Sequence, residues 1–114
     1  MVTNRRLLIP IVGSVALGTP LIGNATVDWY GKTVAMVSST YDGADCVYFT
    51  LNGVTEADPI KPGDPTFAFP RSQFGSKDGY AMLLAAKIAG QPVRVVTRGT
   101  LACGYAAVAQ IMLP

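Results

Sequence analysis

The sequence predicts a mainly β domain with one helix, arranged as a five-stranded Greek-key barrel of the OB type with the helix between strands 3 and 4. Half of the 114 residues are hydrophobic and only 14% are charged, which excludes intrinsic disorder. Short β-branched stretches alternate with turn dipeptides, and one stretch has helical periodicity. The resulting element order fits a small OB barrel. The alternative is an α+β sandwich with the helix laid on an open sheet.

The first two strands are predicted on either side of an Asp-Gly turn at residues 42–43. Residues 32–39 (KTVAMVSS) are rich in β-branched side chains and alternate along the chain. Residues 46–51 (CVYFTL) place Val47 and every second residue after it on one face, and Tyr48 on the other. We therefore expect Tyr48 to face solvent.

The third strand is short, and the last two follow the helix. Residues 57–65 contain three prolines and predict a surface loop, after which Pro70 limits a short strand over residues 66–69. Residues 93–98 and 105–112 predict the last two strands, separated by a glycine-containing loop.

One helix is predicted over residues 77–89, with Ser76 as its N-cap and Gly90 as the residue that ends it. Its predicted core-facing positions are Tyr80, Leu83, Leu84 and Ile88. The opposite face carries almost no charge, and a helix that is apolar all round is generally buried. We therefore predict an oligomer interface on that face, formed by Met82, Ala85, Ala86 and Ala89.

Residues 1–25 have the layout of a secretory signal peptide. Arg5 and Arg6 precede an uncharged apolar run over residues 7–23, and residues 23–25 (GNA) form the favoured cleavage site, with residues 14–16 as a shorter alternative. Prolines and glycines in the run disfavour a membrane anchor. Cleavage leaves residues 26–114 as one secreted or periplasmic domain with no membrane segment. If the segment is retained instead, it becomes an apolar arm that must be buried in a partner or a membrane.

Composition argues against several functional classes. The chain has no histidine, which removes Ser-His-Asp and Cys-His catalysis and imidazole zinc ligation. Residues 26–114 hold seven basic and seven acidic side chains, a poor balance for binding nucleic-acid phosphates. The acidic residues between positions 42 and 64 match no EF-hand spacing and are ordinary turn residues. We expect no enzymatic activity, no metal, no cofactor and no nucleic-acid partner.

Cys46 and Cys103 are predicted to form a disulfide. Neither belongs to a CxxC pair, and the export-like N-terminal segment favours an oxidising compartment. Closing so long a loop stabilises a small domain by roughly 4 kcal/mol. The alternative is a pair of buried free thiols in a cytosolic protein.

A ligand site is predicted around aromatic side chains in the first half of the domain. Aromatic rings combine an apolar face with a polar edge, so they pack on a partner while still forming hydrogen bonds. The alternative is that these rings pack the ends of the barrel. The predicted ligand-binding residues are Trp29, Tyr30, Tyr41, Asp42 and Tyr48.

Residues 46–51, 53–54, 57–59, 80–89, 90–95 (GQPVRV) and 103–106 resemble a group of small exported bacterial proteins. That group is itself similar to the cell-binding B subunits of subtilase-cytotoxin and pertussis-like toxins. The resemblance covers roughly residues 31–113, and it is most recognisable where the helix is followed by GQPVRV. It implies an OB-fold B subunit that forms a homo-oligomer, typically a pentamer with central helices, and binds cell-surface glycans. Residues 30–32 stand where the family has a glycan-contacting serine.

The function predicted from these observations is a non-catalytic exported binding module that engages a glycan or a protein partner. The alternative is a structural or assembly subunit that uses a retained apolar N-terminal segment to pack into its neighbours.

Overall fold

The computed structural model describes residues 26–39 and 45–114. The predicted signal peptide and two of the predicted ligand-binding residues, Tyr41 and Asp42, lie outside the described residues. The elements are β1 (Asp28–Lys32), β2 (Val34–Ser39), β3 (Cys46–Leu51), β4 (Phe67–Pro70), α1 (Ser76–Ala89), β5 (Val93–Ala102) and β6 (Tyr105–Met112). For these described residues, the prediction of a mainly β domain with one helix is confirmed.

The strands form one mixed sheet in the order β1-β5-β6-β4-β3-β2. Neighbouring strands are antiparallel except β4 and β6, which are parallel. β1 and β2 lie at opposite edges of the sheet, yet only Thr33 separates them along the chain. The sheet therefore curls until its two edges meet at Thr33. Asn52 holds this junction, because its backbone N–H and its side-chain Nδ2 each donate to Thr33 at 2.9 Å.

The described residues contain six strands, so the prediction of five was wrong, and the helix follows the fourth strand instead of the third. The unpredicted strand is β1, in which Gly31 has a left-handed φ of 68° and the pairing with β5 is irregular. Those features hide the alternation that marks a strand in sequence. β5 is also longer than predicted and includes part of the expected loop, with an irregular pairing to β6 between Thr97 and Leu101, where Gly99 has a φ of 77°.

Alternate side chains of the strands form the core. Val47, Phe49 and Leu51 are buried on one face of β3, as the sequence predicts. Phe49 stacks on Phe67 of β4 with ring centroids 4.9 Å apart. The rest of this core comes from β2, β4, β5, β6, the loop after β3 and the inner side of α1.

The predicted end of α1 is confirmed, whereas its beginning differs. Gly90 adopts the left-handed conformation at φ 65°, and its N–H bonds to the carbonyls of Ala86 and Lys87. At the other end Gly75 is the N-cap, so Ser76 is the first helical residue. The Ser76 hydroxyl donates to the carbonyl oxygen of Arg71 at 2.5 Å and ties the helix to the end of β4.

The helix is rotated relative to the expectation from its sequence. Leu83 and Ala86 are completely buried, so Ala86 belongs to the core and not to the outward face that was predicted to contain it. Ile88, expected in the core, is 87% exposed. Apolar residues occur on all sides of this helix, so their periodicity alone does not identify the side that is buried. The small Ala86 side chain allows the helix to approach the sheet closely. Ala85 and Ala89 are exposed and Met82 is half-buried.

The predicted disulfide is present. It joins Cys46, at the start of β3, to Cys103 in the turn between β5 and β6, with the two Cα atoms 6.7 Å apart. Within residues 26–39 and 45–114, no helix combines the length and the apolar character needed to cross a membrane.

Candidate functional site

Two tyrosine rings meet on the face of the sheet opposite the core. Tyr48 of β3 lies between the buried Val47 and Phe49 and is half-buried on the other side. The Tyr105 ring, at the start of β6, contacts it edge to face, with centroids 5.4 Å apart and planes at 83°. Because β4 lies between β3 and β6, the rings meet across an intervening strand.

Two alanines of the sheet share the face of the tyrosine rings. Ala68 of β4 is the cross-strand partner of Tyr48 and, in parallel register, of Ala107 in β6. Each alternates with core residues along its strand, so both point away from the core. They are nevertheless 0% and 4% exposed. Side chains of this size leave room above β4 for the rings.

The disulfide lies next to the ring pair. Cys46 is two residues before Tyr48, and Cys103 is two residues before Tyr105. Residues two apart on a strand share a face, so Cys46 and Tyr48 point to the same side of β3. The disulfide and the ring pair therefore both connect the start of β3 with the chain around the start of β6.

A shallow depression of about 370 Å³ lies beside these rings. We call it the tyrosine site, and it is lined by Met36, Ser38, Tyr48, Thr66 and Tyr105. Ser38 is the cross-strand partner of Tyr48, so its hydroxyl and the phenol come from paired positions. The site combines aromatic surface with aliphatic hydroxyl groups.

Lys61 borders the site and has three contacts. Its Nζ atom lies 3.9 Å from the centroid of the Tyr105 ring, a cation–π geometry. The same atom donates to the Gly104 carbonyl at 2.6 Å and forms an ion pair with Asp64 Oδ2 at 3.3 Å. Asp64 in turn accepts a hydrogen bond from the Thr66 N–H at 2.9 Å. That bond, followed by the smaller effect of Lys61, holds the pKa of Asp64 below its ordinary value.

Trp29 and Tyr30 do not join the tyrosine site. Trp29 packs partly buried against the core, and its Nε1–H donates to the Ala57 carbonyl at 2.8 Å. Trp29 therefore packs against the core, as the alternative interpretation of these rings had anticipated. Tyr30 is 61% exposed on β1 and lies against Arg94, whose guanidinium carbon is 4.3 Å from the ring centroid.

Arg94 also forms a bidentate ion pair on the same edge. Its Nε and its terminal nitrogen donate to the two Asp28 oxygens at 2.9 and 2.6 Å. Hydrogen bonding and charge from Arg94 lower the pKa of Asp28, with a further contribution from Tyr30. This cluster is an exposed surface pair between β1 and β5.

The acidic residues of the long loop form turns, as predicted. Asp58 and Asp64 each accept a hydrogen bond from the backbone N–H two residues later, at 2.8 and 2.9 Å. Asp58 is also 2% exposed and accepts a second bond, from the Thr97 hydroxyl. In the described part of the chain, no three acidic or cysteine side chains are grouped closely enough to hold a metal ion.

The sequence prediction identified Tyr48 but missed its partners. A partial signal was present, since the predicted Cys46–Cys103 bond links the start of β3 to the chain just before β6. Tyr105 is the aromatic residue that follows Cys103 most closely in sequence. Lys61 and Thr66 carry no comparable signal, because their positions depend on how the loop before β4 folds back.

No family model matches this chain, and no curated protein is significantly similar to it.

Proposed function

We propose that this protein is a non-catalytic binding module that engages a glycan at the tyrosine site. The observation that carries the proposal is the Tyr48–Tyr105 ring pair with hydroxyl groups around it. A sugar ring presents C–H groups on its faces and hydroxyls around its edge. Aromatic surface packs on those faces while Ser38 and Thr66 offer hydrogen bonds to the edge.

We infer that the fold is an OB-type barrel. If β1 and β2 are counted as two halves of one bent strand around Thr33, the strands number five and the helix falls between the third and the fourth. The parallel pairing of β4 with β6 supports this interpretation. OB domains bind oligosaccharides and oligonucleotides on the face of their second and third strands, near two of the connecting loops. The lining of the tyrosine site comes from β2, β3, the residue before β4 and the start of β6, next to the β5–β6 turn, and this nearness to the OB ligand face supports the proposal.

We further propose that the protein is exported, by cleavage after Ala25. Support comes from the signal-peptide layout of residues 1–25 and from the Cys46–Cys103 disulfide, because structural disulfides persist in oxidising compartments.

The experiment is a titration of the protein against a glycan array, followed by calorimetry with the glycans that bind. Tyr48→Ala removes one of the two rings, and we expect it to lower affinity by about tenfold, the equivalent of roughly 1.4 kcal/mol. Tyr30→Ala is the matched control, because it also removes a half-exposed tyrosine from a strand but lies outside the tyrosine site. Equal losses in the two variants, or binding to a protein and to no glycan, would contradict the proposed function.

Assembly into a homo-oligomer is a second candidate property, with a pentamer implied by the toxin resemblance. The outer side of α1 is apolar and exposed at Ala81, Ala85, Ile88 and Ala89, and the neighbouring Phe74 is fully exposed. Exposed apolar patches of this kind mark interaction surfaces. The molar mass of the exported protein distinguishes the two forms of assembly: a closed ring supports the binding module, and open polymers that depend on residues 1–25 support an assembly subunit.

A further inference from the structure

The described residues that line the tyrosine site offer an uncharged surface to a ligand. All five described residues that line it, Met36, Ser38, Tyr48, Thr66 and Tyr105, have neutral side chains. The cation in contact with the ring pair is Lys61, which borders the depression without lining it. Whether the site attracts anionic ligands therefore depends on how far the charge of Lys61 is already satisfied.

Three groups of the same protein satisfy Lys61. Its ammonium is 3.3 Å from Asp64, donates to the Gly104 carbonyl at 2.6 Å and lies 3.9 Å from the Tyr105 ring centroid. These contacts satisfy part of the hydrogen-bonding capacity and charge of the ammonium. A carboxylate or sulfate on a ligand would compete with them for Lys61.

Asp64 keeps its negative charge under the conditions in which the protein would bind. The Thr66 N–H and Lys61 both favour the ionised carboxylate, and its pKa is lowered accordingly. The Asp64–Lys61 pair thus contributes no net charge next to the site. An anion placed against Lys61 would also approach the Asp64 carboxylate, and like charges brought together at a binding surface oppose association.

We propose that the tyrosine site selects uncharged saccharides over their anionic derivatives, and that Asp64 is the residue that determines this specificity by neutralising Lys61 and holding it on Tyr105. This inference rests on the proposed glycan-binding function. It adds the chemical class of the sugar and assigns a role to a residue outside the lining of the site. Lys61 also covers one face of the Tyr105 ring, so the sugar packs on the remaining aromatic surface.

The experiment compares neutral oligosaccharides with the same oligosaccharides carrying one sialic acid or one sulfate group. It uses calorimetry on the full chain at neutral pH. We expect the unmodified protein to bind the neutral member of each pair about fivefold more tightly, a difference typical of one surface charge interaction. Asp64→Asn retains an oxygen that accepts the Thr66 N–H but frees Lys61. We expect this variant to bind the anionic member at least as tightly as the neutral one.

The double variant Lys61→Met/Asp64→Asn is the matched control. If the gain in Asp64→Asn comes from the released ammonium, the double variant loses it and prefers the neutral member again. Circular dichroism verifies that all variants are folded. A preference of the unmodified protein for the anionic member would overturn this inference and leave the proposed function intact. Failure of every saccharide to bind would overturn both.

Discussion

Removing the disulfide is the most direct test of how this small domain is stabilised. In Cys46→Ser/Cys103→Ser the cross-link between β3 and the β5–β6 turn is absent, while every side chain of the strands and the core other than that of Cys46 is unchanged. We expect this variant to fold less stably and to lose part of the ordered contact between Tyr48 and Tyr105.

The magnitude follows from the length of chain that the bond closes. Cys46 and Cys103 are 57 residues apart. In the chain-entropy description, removing a cross-link that closes a loop of this length restores roughly 14 cal/mol/K of conformational entropy to the unfolded chain. The free energy of unfolding then falls by about 4 kcal/mol at 25 °C. For a domain of this size, that loss lowers the melting temperature by on the order of 15–30 °C.

The assay is urea unfolding followed by circular dichroism, with and without a thiol reductant. The unmodified protein loses stability when the reductant is added, and the double-serine variant is indifferent to it. Near-ultraviolet circular dichroism reports the packing of all the aromatic side chains, and subtracting the spectrum of Tyr48→Ala isolates the contribution of the tyrosine pair. A loss below about 1 kcal/mol would refute the reasoning, since it falls outside the typical contribution of a bond that closes a long loop. Titration of two free thiols in the unreduced, unfolded protein would refute it as well.

Two further predictions concern backbone conformation and pH. Gly90→Ala should destabilise the protein by about 1–2 kcal/mol because residue 90 has a left-handed φ of 65°. Gly79→Ala should stabilise the protein by up to about 1 kcal/mol, since alanine is the better helix former and its Cβ would meet Ile111 and Phe69 at an ordinary 3.5 Å. Chemical denaturation measures both variants, and a change in stability of the same sign in Gly90→Ala and Gly79→Ala would contradict this reasoning. Asp28 has a lowered pKa in the folded protein because of Arg94, so its stabilising contribution is present above the unfolded pKa and is lost as the pH falls through the folded pKa. Asp28→Asn and Arg94→Met should each flatten the acid side of the stability profile, and an unchanged profile in both would count against the pair.

Local signals predicted the elements whose determinants lie within a few residues. The alternation of β3, the end of α1 at Gly90 and the turns at Asp58 and Asp64 all depend on side-chain spacing or on one backbone conformation. β1 escaped prediction because its bend at Gly31 and its irregular pairing with β5 remove the period of two. A strand that is stabilised mainly by pairing with a distant strand need not show a strand pattern in its own sequence.

The same division applies to the site. Tyr48 was predicted because its neighbours along β3 are core residues, which fixes the side of the strand it occupies. Tyr30 and Trp29 were predicted on residue type alone, and the fold separates them from Tyr48 by placing them on the opposite edge strand. Residue type indicates which side chains are able to bind a ligand. Such side chains form a site only when the fold places them on the same face of the sheet.

Residue order within short segments was sufficient to predict a mainly β domain with one helix and the inward side of β3, while the presence of two cysteines and the export-like N-terminal segment favoured the disulfide. The three-dimensional fold was needed to decide which side of α1 is buried and that Tyr105 meets Tyr48 above β4. Those outcomes depend on the parallel pairing of β4 with β6 and on the packing of α1 against the sheet. Both involve residues far apart in sequence, whose contacts are determined by how well their side chains fill the same space.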